Sequence, residues 1–202
     1  MKLYYAPHTC SLSPHIVLRE LSLPFELVRV NNRTKRTEHG QDFWTINPKG
    51  YVAALETEDG RIITEGPVIL NYLAGLKPET GLIPKDKWEN IRLHEWLAFI
   101  NSELHAGLAP LFNSVLPAEA RAIFLDKVST RFDVLEHELR TQNQYLMGAH
   151  FSIADAYLFT VLGWCRFFDI ELDEWPALSA YMARISERPS VQAALKAEQN
   201  RS

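Results

Sequence analysis

The chain has 202 residues, 47% of them hydrophobic and 11% aromatic, and its 21 basic and 25 acidic side chains leave a formal charge of −4. This is the composition of a globular protein of one or two domains with a sizeable core. It excludes a nucleic-acid binder built on a basic stripe, because lysines and arginines are interspersed with acidic neighbours. Two cysteines separated by most of the chain give neither structural zinc spacing nor a Cys-x-x-Cys pair.

The opening "MKLYYAPHTC" carries one charge and an apolar stretch too short for the hydrophobic region of a signal peptide. No apolar run reaches bilayer-spanning length, and the longest apolar helical segment is broken by Arg166 and Asp169. A cytoplasmic protein without a membrane partner is the expectation. "KLYYA" (2–6) and "FELVRV" (25–30) read as strands flanking the helical "SLSPHIVLREL", in which Ile16, Val17 and Leu21 recur at helical spacing. Cys10 therefore falls at a strand-to-helix junction, where unpaired N–H groups and the positive end of the helix dipole favour thiolate over thiol. The competing reading is a core filler, since cysteine is among the most buried residue types. Tyr5 lies on the opposite face of its strand from Tyr4, as a pocket wall or a core aromatic. His15, inside the first helix, reads as packing against the sheet.

After the polar loop "NNRTKRTEHG" and a short helical "DFWTI", the segments "VAALE" and "RIIT" bracket "TEDG", whose Asp59-Gly60 is a hairpin signal. The helix "EGPVILNYLAGL" has Pro67 in its first turn and Gly75 near its end. The Pro/Gly/Lys-rich stretch 77–87 then marks a boundary, giving a first domain at 1–80, a linker at 81–86 and a second domain at 87–202. Every periodic segment of the second domain is helical: Trp88 to about Leu108, Pro117 to about Gln142, Ser152 to about Phe168, Pro176 to Glu187 and Val191 to about Glu198. On the first of these, Ala98, Ser102 and His105 fall on one stripe. In "FSIADAYLF", Ser152 and Asp155 are spaced as a variant of the capping box, a helix start worth about 1 kcal/mol. Cys165, in "VLGWCRFF", reads as core.

The order βαβαββα with a cysteine at the first junction, followed by an all-helical domain, is similar to the glutathione transferase superfamily. "MKLYYAPHTCSLSPHIVLRE", "NPKG", "TEG", "ELHAGLAPLF", "FSIADAYLFTVL" and "ERPSVQAAL", in that order, resemble the beta class of bacterial glutathione transferases. The resemblance implies a fold of class α/β plus all-α, with a thioredoxin-like first domain. It implies an enzyme that conjugates glutathione, its co-substrate, to small hydrophobic electrophiles in detoxification, with no bound cofactor or metal, acting as a homodimer.

It also implies a site. Cys10 would face the glutathione sulfur and form a mixed disulfide with it, Ser11 would donate to that sulfur unless it only caps the helix, and His105 would sit near the thiol, where an imidazole accepts a proton. Tyr5 and Ser102 would line the glutathione site, Lys35 would reach the glycine carboxylate with Arg33 and Arg36 as substitutes, and Val52 would pair its main chain with the cysteinyl residue. Glu65 and Gly66 would hold the γ-glutamyl end. The last has its own physical basis, since "TEGP" opens a helix whose free N–H groups bind a carboxylate while Glu65 takes the ammonium.

Two departures stand out. Ala53 occupies a position where the superfamily carries a cis-proline, and a cis bond before a non-proline residue costs about 3 kcal/mol, so a trans Val52–Ala53 bond with a rearranged loop is expected. Ala98 replaces an asparagine that often reaches across the dimer, and Asn101 is a turn off that register. These departures leave room for a glutathione-dependent thiol-disulfide oxidoreductase using Cys10, or for a non-catalytic binding or regulatory protein on the same fold.

Overall fold

In this computed structural model, which describes residues 1–142 and 144–199, the chain divides into two units. One is Met1–Thr80 together with the C-terminal segment from Arg188, and the other is Gly81–Glu187. In the first, β1 (Lys2–Tyr5) pairs in parallel with β2 (Glu26–Asn31) and antiparallel with β4 (Ala54–Glu56), which turns back as β5 (Ile62–Thr64). The short β3 (Arg36–Thr37) completes the sheet order β3-β2-β1-β4-β5. Only Val30 with Thr37 and Asn31 with Arg36 pair along β3, so no run of strand formers announces it within the polar loop.

Strand alternation sends Leu3 and Tyr5 to one face and Tyr4 and Ala6 to the other. Helices α1 (Leu12–Glu20) and α2 (Gly66–Gly75) pack together, and Leu3, Tyr5, Ile16, Leu18, Leu70 and Leu73 all lose their solvent contact. Tyr4, Val28, Val30, Val52 and Ala54 gather instead around Phe43. Phe43 belongs to a single 3-10 turn, Phe43–Thr45, which is capped by the Asp42 carboxylate accepting from the Trp44 N–H. The Val52–Ala53 peptide bond is cis, against the expectation of trans. Both residues are buried, and the enclosing fold sets the isomer in place of the local peptide preference.

The last helix, α8 (Pro189–Gln199), groups with this first unit, whereas the sequence assigned it to the helical domain. The reason is a polar clasp on α1. His15 Nδ1 lies 2.8 Å from Glu198 Oε1, Arg19 Nε donates to His15 Nε2 at 2.8 Å, and Arg188 and Ser190 both donate to Glu20. Val191 and Ala194 are completely buried beside these contacts. His15 is thus a structural residue.

The second unit opens with α3 (Lys87–Phe99), capped by Asp86, which accepts from the N–H groups of Trp88 and Glu89 at 2.9 and 3.0 Å. The chain then runs without a break through a π-helical segment, Ile100–His105, a short α4 (Ala106–Leu108) and a 3-10 turn, Ala109–Phe112. A π turn is wider than an α turn. The stripe expected of Ala98, Ser102 and His105 therefore does not continue with regular spacing past Ile100. Glu103 on the π segment accepts from Arg131 at 2.8 Å and pairs with Lys127 at 3.5 Å, and these two cations on α5 (Ala118–Gln142) hold its carboxyl below the usual range. Behind them, α6 (Ile153–Leu162) is buried along its whole length, and α7 (Pro176–Ser186) packs on both α5 and α6.

Candidate functional site in the first unit

The site is organised by the turn "NPKG". Asn47, buried, donates its side-chain amide to the Tyr51 carbonyl at 2.7 Å, accepts the Lys49 N–H at 3.1 Å and, through its own carbonyl, the Gly50 N–H at 2.8 Å. Gly50 has φ +70°, a conformation that favours glycine, and the Trp44 ring lies over it where a Cβ would stand. This turn delivers Val52 to the junction of β1 and α1. There the Cys10 thiol donates to the Val52 carbonyl at 3.4 Å.

Cys10 does not have the depressed pKa expected of a helix terminus. Burial pushes its thiol up to about 11 and the negative charge of Glu65 adds to the rise, while its own N–H and that of Ala53 act in the opposite direction. Ser11, not Cys10, is the residue that borders α1. Cys10 is half-buried, and in the ligand-free protein the loss of hydration outweighs the dipole. Cys165 lies in the core as expected, its thiol pushed up to about 12 by burial.

Glu65 stands immediately before α2 with φ 70°, and its carbonyl accepts the Val68 and Ile69 N–H groups at 3.0 Å each. Pro67 brings no donor, which leaves the Gly66 N–H at the open end of the helix. Lys49 Nζ sits 2.6 Å from Glu65 Oε1 and 3.0 Å from Thr64 Oγ1. The Lys35 ammonium lies 5.4 Å from the centre of the Tyr51 ring, a cation–π distance. Lys35 is itself fixed, with its N–H donating to Asn31 and its carbonyl accepting from Phe43, both at 2.8 Å. Arg36 is turned back onto the Gly40 carbonyl, and Arg33 is exposed.

Two expected site residues lie beneath this surface. Tyr5 is completely buried, its ring 6.4 Å from that of His15. Ser11 is also completely buried, its hydroxyl 2.7 Å from Thr9 Oγ1, donating to the Ala6 carbonyl at 3.1 Å and accepting the Ala6 N–H at 3.2 Å. Its side chain braces the β1–α1 loop and makes no helix cap. Alternation put Tyr5 opposite Tyr4, but both faces of this sheet are covered. Cys10, Val52, Glu65 and Gly66, with Lys35 reached through Tyr51, are brought together. Lys49 was missed because its partner is distant in sequence and an ion pair of that kind leaves no local pattern.

Ser102 and His105 belong to the second unit. Ser102 is exposed and its hydroxyl donates to the Ala98 carbonyl at 2.9 Å. The His105 ring packs 4.9 Å from Trp164 and 6.3 Å from Tyr157, whose hydroxyl donates to Asn101 at 2.8 Å. The half-exposed Phe112 extends this cluster, 5.4 Å from Trp164 and 4.6 Å from Phe168.

Residues 9–76 match the family model for the glutathione S-transferase N-terminal domain and residues 99–189 that for its C-terminal domain. Glutathione S-transferase GstA of Escherichia coli O157:H7 is 41% identical over 199 residues, with 98% of each chain covered. A sphingomonad glutathione S-transferase solved in complex with glutathione is 42% identical with a TM-score of 0.94, covering 98% of this chain and 99% of its own. A bacterial beta-class glutathione S-transferase from Sphingomonas chungbukensis is 43% identical with a TM-score of 0.93, covering 98% of both chains.

Proposed function

Because the chain belongs to the glutathione S-transferase family, we propose that its first unit holds glutathione with Glu65 and Gly66 at the γ-glutamyl end, the Val52 main chain at the cysteinyl residue and Lys35 at the glycine carboxylate. The observation that supports this most is the placement of an exposed carboxylate, Glu65, at the open N-terminus of α2, with its charge felt at Cys10. An ammonium beside a carboxylate, as at the γ-glutamyl end, is matched by a carboxylate beside a helix N–H.

The enzyme is a glutathione transferase. Its reaction forms a bond between the glutathione sulfur and an electrophilic carbon; the leaving group departs with its bonding electrons and the thiol proton passes to solvent or a base. Cys10, kept neutral, serves this chemistry as an S–H donor to the glutathione thiolate. A disulfide exchange led by Cys10 would need the thiolate form instead, so the two reactions differ in what they ask of this thiol. The electrophile in this reading is small and hydrophobic, in keeping with the aromatic group formed by His105, Trp164 and Phe112 in the second unit.

The reading includes a homodimer in the cytoplasm with a role in detoxification. Trp88 and Ile91, at 62% and 40% exposure on α3, are apolar surface that a second copy would cover. No described helix is long and apolar enough to cross a membrane. The test is a pair of assays on one preparation, conjugation of glutathione to a generic aryl halide and reduction of a glutathione mixed disulfide, each repeated with Cys10→Ser. Conjugation should predominate in the wild type and survive in the variant, because a hydroxyl also donates. Disulfide reduction that predominates and vanishes with Cys10→Ser would replace this reading by the oxidoreductase one.

A further inference from the structure

The ion pair between Lys49 and Glu65 puts a cation of the protein on the acceptor that a glutathione ammonium needs. Lys49 Nζ is 2.6 Å from Glu65 Oε1 and is steadied by Thr64 Oγ1 at 3.0 Å. Its backbone is held by the Asn47 side chain and by the Gly50 turn under the Trp44 ring. Both side chains of the pair are more than half exposed, at 56% and 59%, so a ligand reaches them without unfolding the loop. We infer that Lys49 is a specificity-determining residue, a resident stand-in for the ligand's α-ammonium that sets how strictly the site requires that group. The inference rests on the glutathione reading of Glu65 and Gly66.

With Lys49 on Glu65, the mouth of α2 is neutral before a ligand arrives, and an incoming α-carboxylate meets the Gly66 N–H without facing an uncompensated carboxylate. A γ-glutamyl ligand that carries its own ammonium brings a second cation to the same carboxylate, which has two oxygens to offer. A ligand without the ammonium leaves Lys49 in place and still binds. Remove the lysine, and the ligand without the ammonium must set its carboxylate against a bare Glu65, whereas the complete ligand neutralises Glu65 itself. The lysine therefore broadens the site toward γ-acyl-cysteinylglycine ligands whose acyl group ends in a carboxylate alone.

The experiment compares two thioethers by calorimetry at low ionic strength, S-methylglutathione and its des-amino analogue S-methyl-N-glutaryl-cysteinylglycine, neither of which can exchange with Cys10. The quantity read is the ratio of their dissociation constants in the wild type, in Lys49→Met and in Lys49→Arg. Lys49→Met should raise the ratio against the des-amino ligand about fivefold, the order expected for one exposed charge contact, and Lys49→Arg should restore the wild-type ratio. An unchanged ratio in Lys49→Met, with S-methylglutathione still bound, overturns the role of Lys49 and leaves the glutathione reading intact. Failure of the wild type to bind S-methylglutathione overturns that reading and this inference with it.

Discussion

Replacement of Asp155 by alanine should destabilise the folded protein by about 3 to 5 kcal/mol, because four buried donors lose their shared acceptor. The carboxylate has no solvent exposure and collects four donors. Oδ1 accepts the Leu146 N–H at 2.9 Å and the Tyr181 hydroxyl at 3.0 Å, and Oδ2 accepts the Ser152 N–H and hydroxyl, both at 2.8 Å. Through them, one side chain ties together the start of α6, the segment before it and α7. Burial raises the Asp155 pKa by more than the four donors lower it, so its net shift is upward even with every acceptor site of the carboxyl engaged. Alanine leaves four buried donors without this acceptor, and each orphaned group costs about 1 to 3 kcal/mol, less than additively. Asp155→Asn, which keeps one acceptor oxygen, should lose roughly half as much. Chemical denaturation of the three proteins measures this, and a loss under about 1 kcal/mol for Asp155→Ala would show that the donors find water or new partners.

The second large effect is a pH dependence carried by Glu198. Burial pushes its carboxyl up to about 8, with Arg19 acting in the opposite direction, and His15 Nδ1 faces it at 2.8 Å. In an unfolded chain a glutamate titrates near 4.3 (about, in model peptides). Between these values the folded protein binds more protons than the unfolded chain, so the contribution to stability is complete below the unfolded value and is lost as pH rises through about 8. The wild type should therefore lose on the order of 2 to 4 kcal/mol, relative to Glu198→Gln, between about pH 5 and about pH 8. The subtraction removes the titrating groups that make no contact with Glu198 or His15. Parallel stability curves would mean that His15 and Arg19 hold Glu198 at an ordinary pKa.

How much of this was legible in the sequence depends on how local each signal is. The Asp59-Gly60 hairpin, the Ser152 and Asp155 spacing and the Pro67 helix start are written within a few neighbouring residues, and each stands where the pattern placed it. The two-residue β3 and the π segment at Ile100–His105 carry no comparable signal, since one is too short for alternation and the other interrupts a pattern that reads as ordinary helix. The clasp of α8 on α1 depends on His15 meeting Glu198, residues that only the folded chain brings together.

The candidate site divides in the same way. Glu65 before a helix start was readable from "TEGP", and Cys10 from its junction. Its protonation state was not readable, because the burial that raises its pKa comes from segments elsewhere in the chain. For Ser11 and Tyr5 the sequence left a site role and a packing role open, and both side chains are completely buried in the fold.

Whether Glu65 anchors glutathione in the first unit is measured most directly by a calorimetric titration of the wild type and Glu65→Ala with glutathione. The variant should bind about 30-fold more weakly, corresponding to the ~2 kcal/mol of a charge-assisted hydrogen bond, while its thermal unfolding stays close to wild type because the side chain is 59% exposed and pairs only at the surface. Equal affinity in the two proteins, with heats well above background, would contradict the account and place the γ-glutamyl end of glutathione elsewhere.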